Sequence, residues 1–226
     1  MEQAILSRMG VPPPLAPEDQ ARADLYALIA TLLLKPPDAA LLTALAAADA
    51  LPAADADHAL DQAWEEMVLA AGLLPPDAVR DEFDALFISV GMPALNPYGS
   101  RYLTGFMMER PLASLRDDLR VLGLTRAAGV AEAEDHLGAV CEAMRVLIGG
   151  THGASRQPLG TQRTFFTRHL APWYARCLDD IREAQAACFY RHVARFARAF
   201  LDVEAAAFSI GNDADEAKQR TPAADE

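Results

Sequence analysis

Cysteine is nearly absent from this 226-residue chain. Cys141, Cys177 and Cys188 are the only three, and no two stand in a C-x-x-C arrangement. That rules out a disulfide-stapled scaffold and a thiolate metal cage, and it suits a reducing compartment. Basic residues are also short, 20 Lys and Arg against 32 Asp and Glu, for a net charge of −12 and a pI near 4.8. A chain this acidic is poorly made to track a phosphate backbone, so nucleic acid is not an expected partner, while a positively charged one is. Long apolar runs are missing as well. Leu25–Leu34, in the first helical stretch, falls well short of the ~20 residues needed to span a bilayer, and Met1–Pro17 has no apolar core of the signal-peptide kind. The expectation is a cytoplasmic protein with no membrane insertion. Glycine patterns that cradle phosphates and His pairs at metal-ligand spacing are lacking too, so no cofactor and no metal is expected.

What the chain does have is alanine and leucine. Apolar residues make up 52% of it and aromatics only 7%, a balance that favours helix over strand. Ala21, Leu25, Leu28, Ile29 and Leu32 recur at helical spacing before Lys35-Pro36-Pro37 ends the pattern. Asp38 can cap a short helix to about Ala48, and further helices are predicted over Asp55–Ala71, from Pro75-Pro76-Asp77 onward, over Pro111–Leu122, over Glu132–Ile148 and between Pro158 and Phe208. No stretch alternates with period two. The predicted fold is all-α, a single compact multi-helix bundle over 18–208. A flexible arm is expected over 1–17, a hinge over 149–157, and a disordered acidic tail over 209–226 with five acids and two bases.

Several charged groups have an ordinary reading. Asp117-Asp118 and the row Arg191, Arg195, Arg198 read as solvated helix faces. Two segments resist that reading. Glu82-Phe83-Asp84-Ala85-Leu86-Phe87 runs into Asn96-Pro97-Tyr98-Gly99-Ser100-Arg101-Tyr102, a Pro/Gly-rich connection carrying two tyrosines. It is either a packed elbow or the lining of a peptide groove. The other, Glu132-Ala133-Glu134-Asp135-His136, opens an amphipathic stretch. Its acids suit the positive end of a helix, or they form an acidic rim that receives arginine side chains.

At these places the sequence resembles the redox-enzyme maturation chaperones of the TorD/DmsD family. Glu82, Leu86 and Phe87 match an E-x-x-x-L-F helix, and Pro97, Tyr98, Gly99, Ser100 and Tyr102 match a P-[WY]-G-S-x-[YW] connection. Glu132, Glu134, Asp135 and His136 match an E-P-x-D-H helix start, with Ala133 in place of the usual proline. Phe166, His169-Leu170, Pro172-Trp173 and Phe189-Tyr190 continue the likeness.

The resemblance implies a chaperone, not an enzyme. It would bind the twin-arginine signal peptide and precursor of a molybdenum-containing oxidoreductase and assist cofactor insertion before export. The expected peptide-binding residues are Glu82, Leu86, Phe87, Pro97, Tyr98, Ser100, Tyr102, Glu132, Glu134, Asp135 and His136. The apolar members would supply a trough, and Glu82, Glu132, Glu134 and Asp135 its rim. An alternative is a metal-dependent hydrolase using Glu132, Asp135 and His136, and another is a ligand-sensing repressor, which the charge disfavours. The protein is expected as a monomer or as a helix-exchanged dimer.

Overall fold

The computed structural model describes residues 14–51, 58–88, 93–126, 132–151 and 153–220. Among these residues there are helices and no strands. In chain order they are α1 (Pro17–Leu34), α2 (Ala39–Ala46), α3 (His58–Leu73), α4 (Pro76–Phe83), α5 (Gly99–Thr104), α6 (Arg110–Val121), α7 (Leu137–Gly149), α8 (Leu159–His169), α9 (Tyr174–Glu183) and α10 (Phe189–Arg220). None is long and apolar enough to cross a membrane.

The central pair is α1 against α7. They approach closely because Gly138 stands at the crossing. A Cβ built there would lie 2.8 Å from Leu34 Cγ and 3.2 Å from the Ala30 carbonyl oxygen. α10 packs on α3 and α9 and joins them to the same core, in which Tyr26, Leu33, Met67, Leu137, Met144, Trp173, Tyr190 and Phe196 are buried. One charged group lies inside it. Glu204, 4% exposed, accepts hydrogen bonds from Arg22 Nε (2.7 Å), Arg22 Nη2 (2.8 Å) and the Tyr26 hydroxyl (3.0 Å). Full pairing of this kind is what a buried carboxylate requires.

Several boundaries differ from the sequence pattern, each for a local reason. α2 is capped as expected, with the Asp38 carboxylate accepting from the Leu41 amide at 2.8 Å. α4 does not end in a regular turn: Asp84–Ile88 widens into a π turn, a form that local propensity does not announce. α5 lies inside the connection that was predicted as irregular. α7 begins at Leu137, so Glu132, Glu134 and Asp135 precede the helix instead of filling its first turn. α10 runs on to Arg220 through Ala205–Ala207 and the Ala/Glu/Lys-bearing stretch that follows, where a disordered tail was expected after Phe208.

The expected 1–17 arm narrows to residues ahead of Pro17, and 1–13 lie outside the described residues. The 149–157 segment is tied down: Thr151 and Ala154 exchange backbone hydrogen bonds, and Arg156 Nε donates to the Gly149 carbonyl at 3.2 Å. Cys177 lies on α9 and Cys188 just before α10, so the two do not share a helix.

Candidate functional site

The two segments singled out above, some 35 residues apart in sequence, meet in space. Tyr98 and His136 form an isolated antiparallel bridge. Around it, the Leu137 amide donates to the Pro97 carbonyl and the Gly99 amide to the Asp135 carbonyl, both at 2.8 Å. Side chains extend the tie. Asp135 accepts from the Ser100 amide at 2.8 Å and from the Ser100 hydroxyl, so its carboxylate caps α5 from outside. The Tyr98 hydroxyl donates to Glu132. His136 caps α7, its Nδ1 accepting from the Gly138 amide at 3.1 Å, and its ring meets Tyr98 edge to face at 5.0 Å.

Burial lowers the His136 pKa to about 4, against the raising influence of Glu132 and Asp135. The imidazole is therefore neutral at pH 7, as an acceptor at Nδ1 must be. Burial and the Glu132 hydrogen bond push the Tyr98 phenol well above its ordinary range.

The connection also rests on α9. Gly99 lies against the Trp173 indole, where a Cβ would come within 3.2 Å of Cε2 and Nε1. Tyr102 stacks on Trp173 with ring centres 5.8 Å apart and donates to Asp180 at 2.8 Å. Trp173 Nε1 in turn donates to the His169 carbonyl at 2.7 Å. Asp118, read from sequence as a solvated acid, instead joins α6 to α8 by accepting from His169 Nε2 and Arg168. His169 is pulled below its ordinary pKa chiefly by burial, with Asp118 opposing.

The predicted residues do not all lie on one wall. Phe87, Pro97, Tyr98, Glu132 and His136 line a narrow cleft of about 50 Å³ together with Leu33, Leu34, Phe83, Ile88 and Leu95. Gly99 and Asp135 line a second cleft of about 200 Å³ with Leu103, Arg168, His169 and Trp173. Tyr102 faces a third, of about 330 Å³. Leu86 and Ser100 are fully buried. Glu134 is held at the surface by Arg116, at 2.7 and 2.9 Å, which draws its pKa down against a raising effect of burial.

Glu82 stands apart from the rest. Its carboxylate accepts from three successive backbone amides, Cys188 (2.7 Å), Phe189 (2.8 Å) and Tyr190 (2.7 Å). It is the N-terminal cap of α10, supplied from more than a hundred residues away. This corrects its assignment to an acidic rim, because every acceptor direction facing the protein is taken.

The hydrolase reading loses its ligands in the same way. Asp135 is turned to Ser100, and His136 Nδ1 to a backbone amide. Among the described residues no group of three or more His, Cys, Asp or Glu is placed to hold a metal. The arginine row on α10 is spent on ordinary surface contacts: Arg195 pairs with Glu66, and Arg198 with Asp179 and Asp202.

Sequence reasoning missed two participants, Trp173 and Asp118. Both belong to the blocks or pairs noted above, but nothing in their spacing told which neighbours they would meet.

A helical bundle in which an α5 elbow is buttoned to the start of α7 is the fold of redox-enzyme maturation proteins. One such protein, from Archaeoglobus fulgidus, superposes with a TM-score of 0.54 over 80% of this chain and 93% of its own, at 18% identity. No curated protein matches the chain significantly. The family model described as "nitrate reductase delta subunit" matches residues 53–179, which include both halves of the elbow. The chain belongs to that family, a family of maturation chaperones to which the TorD/DmsD resemblance also leads.

Proposed function

We propose that this chaperone binds the twin-arginine signal peptide of a molybdoenzyme precursor in the cytoplasm, at the cleft between Phe87 and Tyr98, and holds the precursor back from export until its cofactor is inserted. The observation that carries this reading is the cleft's composition. Phe87, Ile88, Leu95 and Pro97 form apolar walls, and Tyr98 and Glu132 place a polar, acidic edge beside them. Ile88 is 56% exposed, so an apolar surface continues outward from the cleft.

A volume of about 50 Å³ suits insertion of one small apolar side chain. The consecutive arginines of the leader then lie at the rim, where a carboxylate can accept two parallel N–H bonds. Glu132 is the acid best placed for this. Its partner, the Tyr98 hydroxyl, is neutral and can turn aside without leaving a buried charge unpaired. Asp135, Ser100 and His136 act as positioning residues, holding the two halves of the cleft in register. Glu134 contributes through its charge beside Arg116. The reading stays with a non-enzymatic role and needs neither a metal nor a nucleotide.

Calorimetry with a synthetic twin-arginine leader at low salt tests it. Binding is expected to weaken as salt rises and to fall about tenfold in Glu132→Gln, the loss of roughly one charge-assisted hydrogen bond. No binding at low salt, or an affinity that Glu132→Gln and Phe87→Ala both leave untouched, would refute the assignment.

A further inference from the structure

The large apolar side chains left exposed by the fold are scattered, with one exception. Leu103 (42% exposed), Phe106 (69%), Met107 (38%) and Met108 (76%) fall within six consecutive positions at the end of α5 and in the loop to α6. The backbone turns this loop outward through two left-handed residues, Gly105 at φ +85° and Met108 at φ +59°. For a non-glycine residue that conformation costs roughly 1 kcal/mol or more.

The same face carries guanidinium groups without acidic partners. Arg116, Arg120, Arg145, Arg168, Arg182, Arg195 and Arg198 each pair with a carboxylate. Among the described residues Arg101, Arg110 and Arg176 have none. Arg101 donates to the Gly105 carbonyl. Arg176 donates to the Tyr102 carbonyl at 3.3 Å and lies over the Tyr102 ring at 5.8 Å, at the edge of the 330 Å³ cleft that Arg101 also lines. Two carboxylates are close by, Glu109 and Asp180, and Asp180 is engaged by the Tyr102 hydroxyl. In a chain with a net charge of −12, cations left unpaired around an apolar loop call for an acidic occupant.

We propose that the α5–α6 loop is a docking surface for a helix of the client protein with an apolar face flanked by acids, separate from the leader cleft. Phe106 anchors it, and Met107 and Met108 adapt to its apolar side chains, as unbranched thioethers do. Arg101, Arg110 and Arg176 meet its carboxylates. The inference rests on the chaperone reading but not on the leader-binding residues. A leader rich in arginine would be repelled here, which keeps the two surfaces distinct.

The test uses the full chain with 13C-methyl-labelled methionine and two 18-residue amphipathic helical peptides. Both have the same leucine face, one flanked by glutamates and the other by lysines. The glutamate peptide is expected to shift the Met107 and Met108 methyl signals while leaving those of the buried Met67 and Met144 in place. Phe106→Ser should weaken its binding at least tenfold, and Arg101→Gln with Arg176→Gln about fivefold with a shallower salt dependence. Met108→Gly removes a contacting side chain while relieving the left-handed backbone, so it should weaken binding in a protein no less stable. The proposal is overturned if the glutamate peptide moves neither signal at millimolar concentration, if the lysine peptide binds as well, or if Phe106→Ser and Met108→Gly both leave affinity unchanged. A leader titration in the same samples separates the two readings: loss of leader binding with retained glutamate-peptide binding refutes only the leader cleft.

Discussion

Replacing Glu82 should damage the fold before it damages recognition. The carboxylate accepts three hydrogen bonds of 2.7–2.8 Å from Cys188, Phe189 and Tyr190, the first amides of the helix that organises the core. In Glu82→Ala those amides lose their acceptor and the α10 N-terminus loses an adjacent negative charge. Cys188 is exposed, so water recovers its bond. Phe189 and Tyr190 are buried, and an unsatisfied amide of that kind costs about 1–3 kcal/mol. Adding roughly 0.3–1 kcal/mol for the helix dipole puts the total near 3–5 kcal/mol. At roughly 2–4 °C per kcal/mol for a chain of this size, the melting temperature should drop by about 10 °C. Glu82→Gln keeps one acceptor oxygen and should lose about half as much. Circular-dichroism melts of the three proteins, with leader calorimetry well below their transitions, measure both quantities. The reasoning fails if Glu82→Gln melts with the wild type yet loses leader affinity, because Glu82 would then be a ligand-binding acid and not a cap.

Two further perturbations probe other parts of the architecture. His136 is buried with its pKa lowered to about 4, so the unfolded chain binds its proton first as pH falls. Its contribution is fully present above about pH 6.5 and is lost between there and pH 4, amounting to about 3 kcal/mol. His136→Asn can keep the cap without titrating, so denaturant titrations across pH 4–7 should show a flatter acid limb, and an unchanged limb would contradict the neutral, buried imidazole. Glu204→Gln leaves Arg22, 19% exposed, without its buried counter-charge and should cost about 3–5 kcal/mol in urea unfolding. A loss below 1 kcal/mol would show that Arg22 simply swings to Asp19, its neighbour on α1 at 2.9 Å.

The helix content was legible because it depends on local periodicity. Ala21 to Leu32 reads as one buried stripe wherever the chain goes, and Asp38 caps whatever follows it. The elbow was legible in its parts, since Pro97, Gly99 and the acid cluster before Leu137 all break the helical pattern. What local pattern could not supply was the partner of each polar group. Glu82 and Asp135 look alike in sequence as acids beside aromatic or apolar residues, and a net charge of −12 invites both to be placed on a surface facing arginines. In the folded chain each is drawn instead to orphan amides at a helix N-terminus that another part of the chain brings into reach, Glu82 to α10 and Asp135 to α5. A helix start offers several undirected donors, and a carboxylate satisfies two or three at once, so tertiary capping competes successfully with solvent for just the acids that look most functional. It follows that acids with no such amides nearby are the better candidates for meeting an arginine. By that criterion Glu132, bonded only to a neutral phenol, outranks Asp135 and Glu82 as the point where a cationic leader would be held.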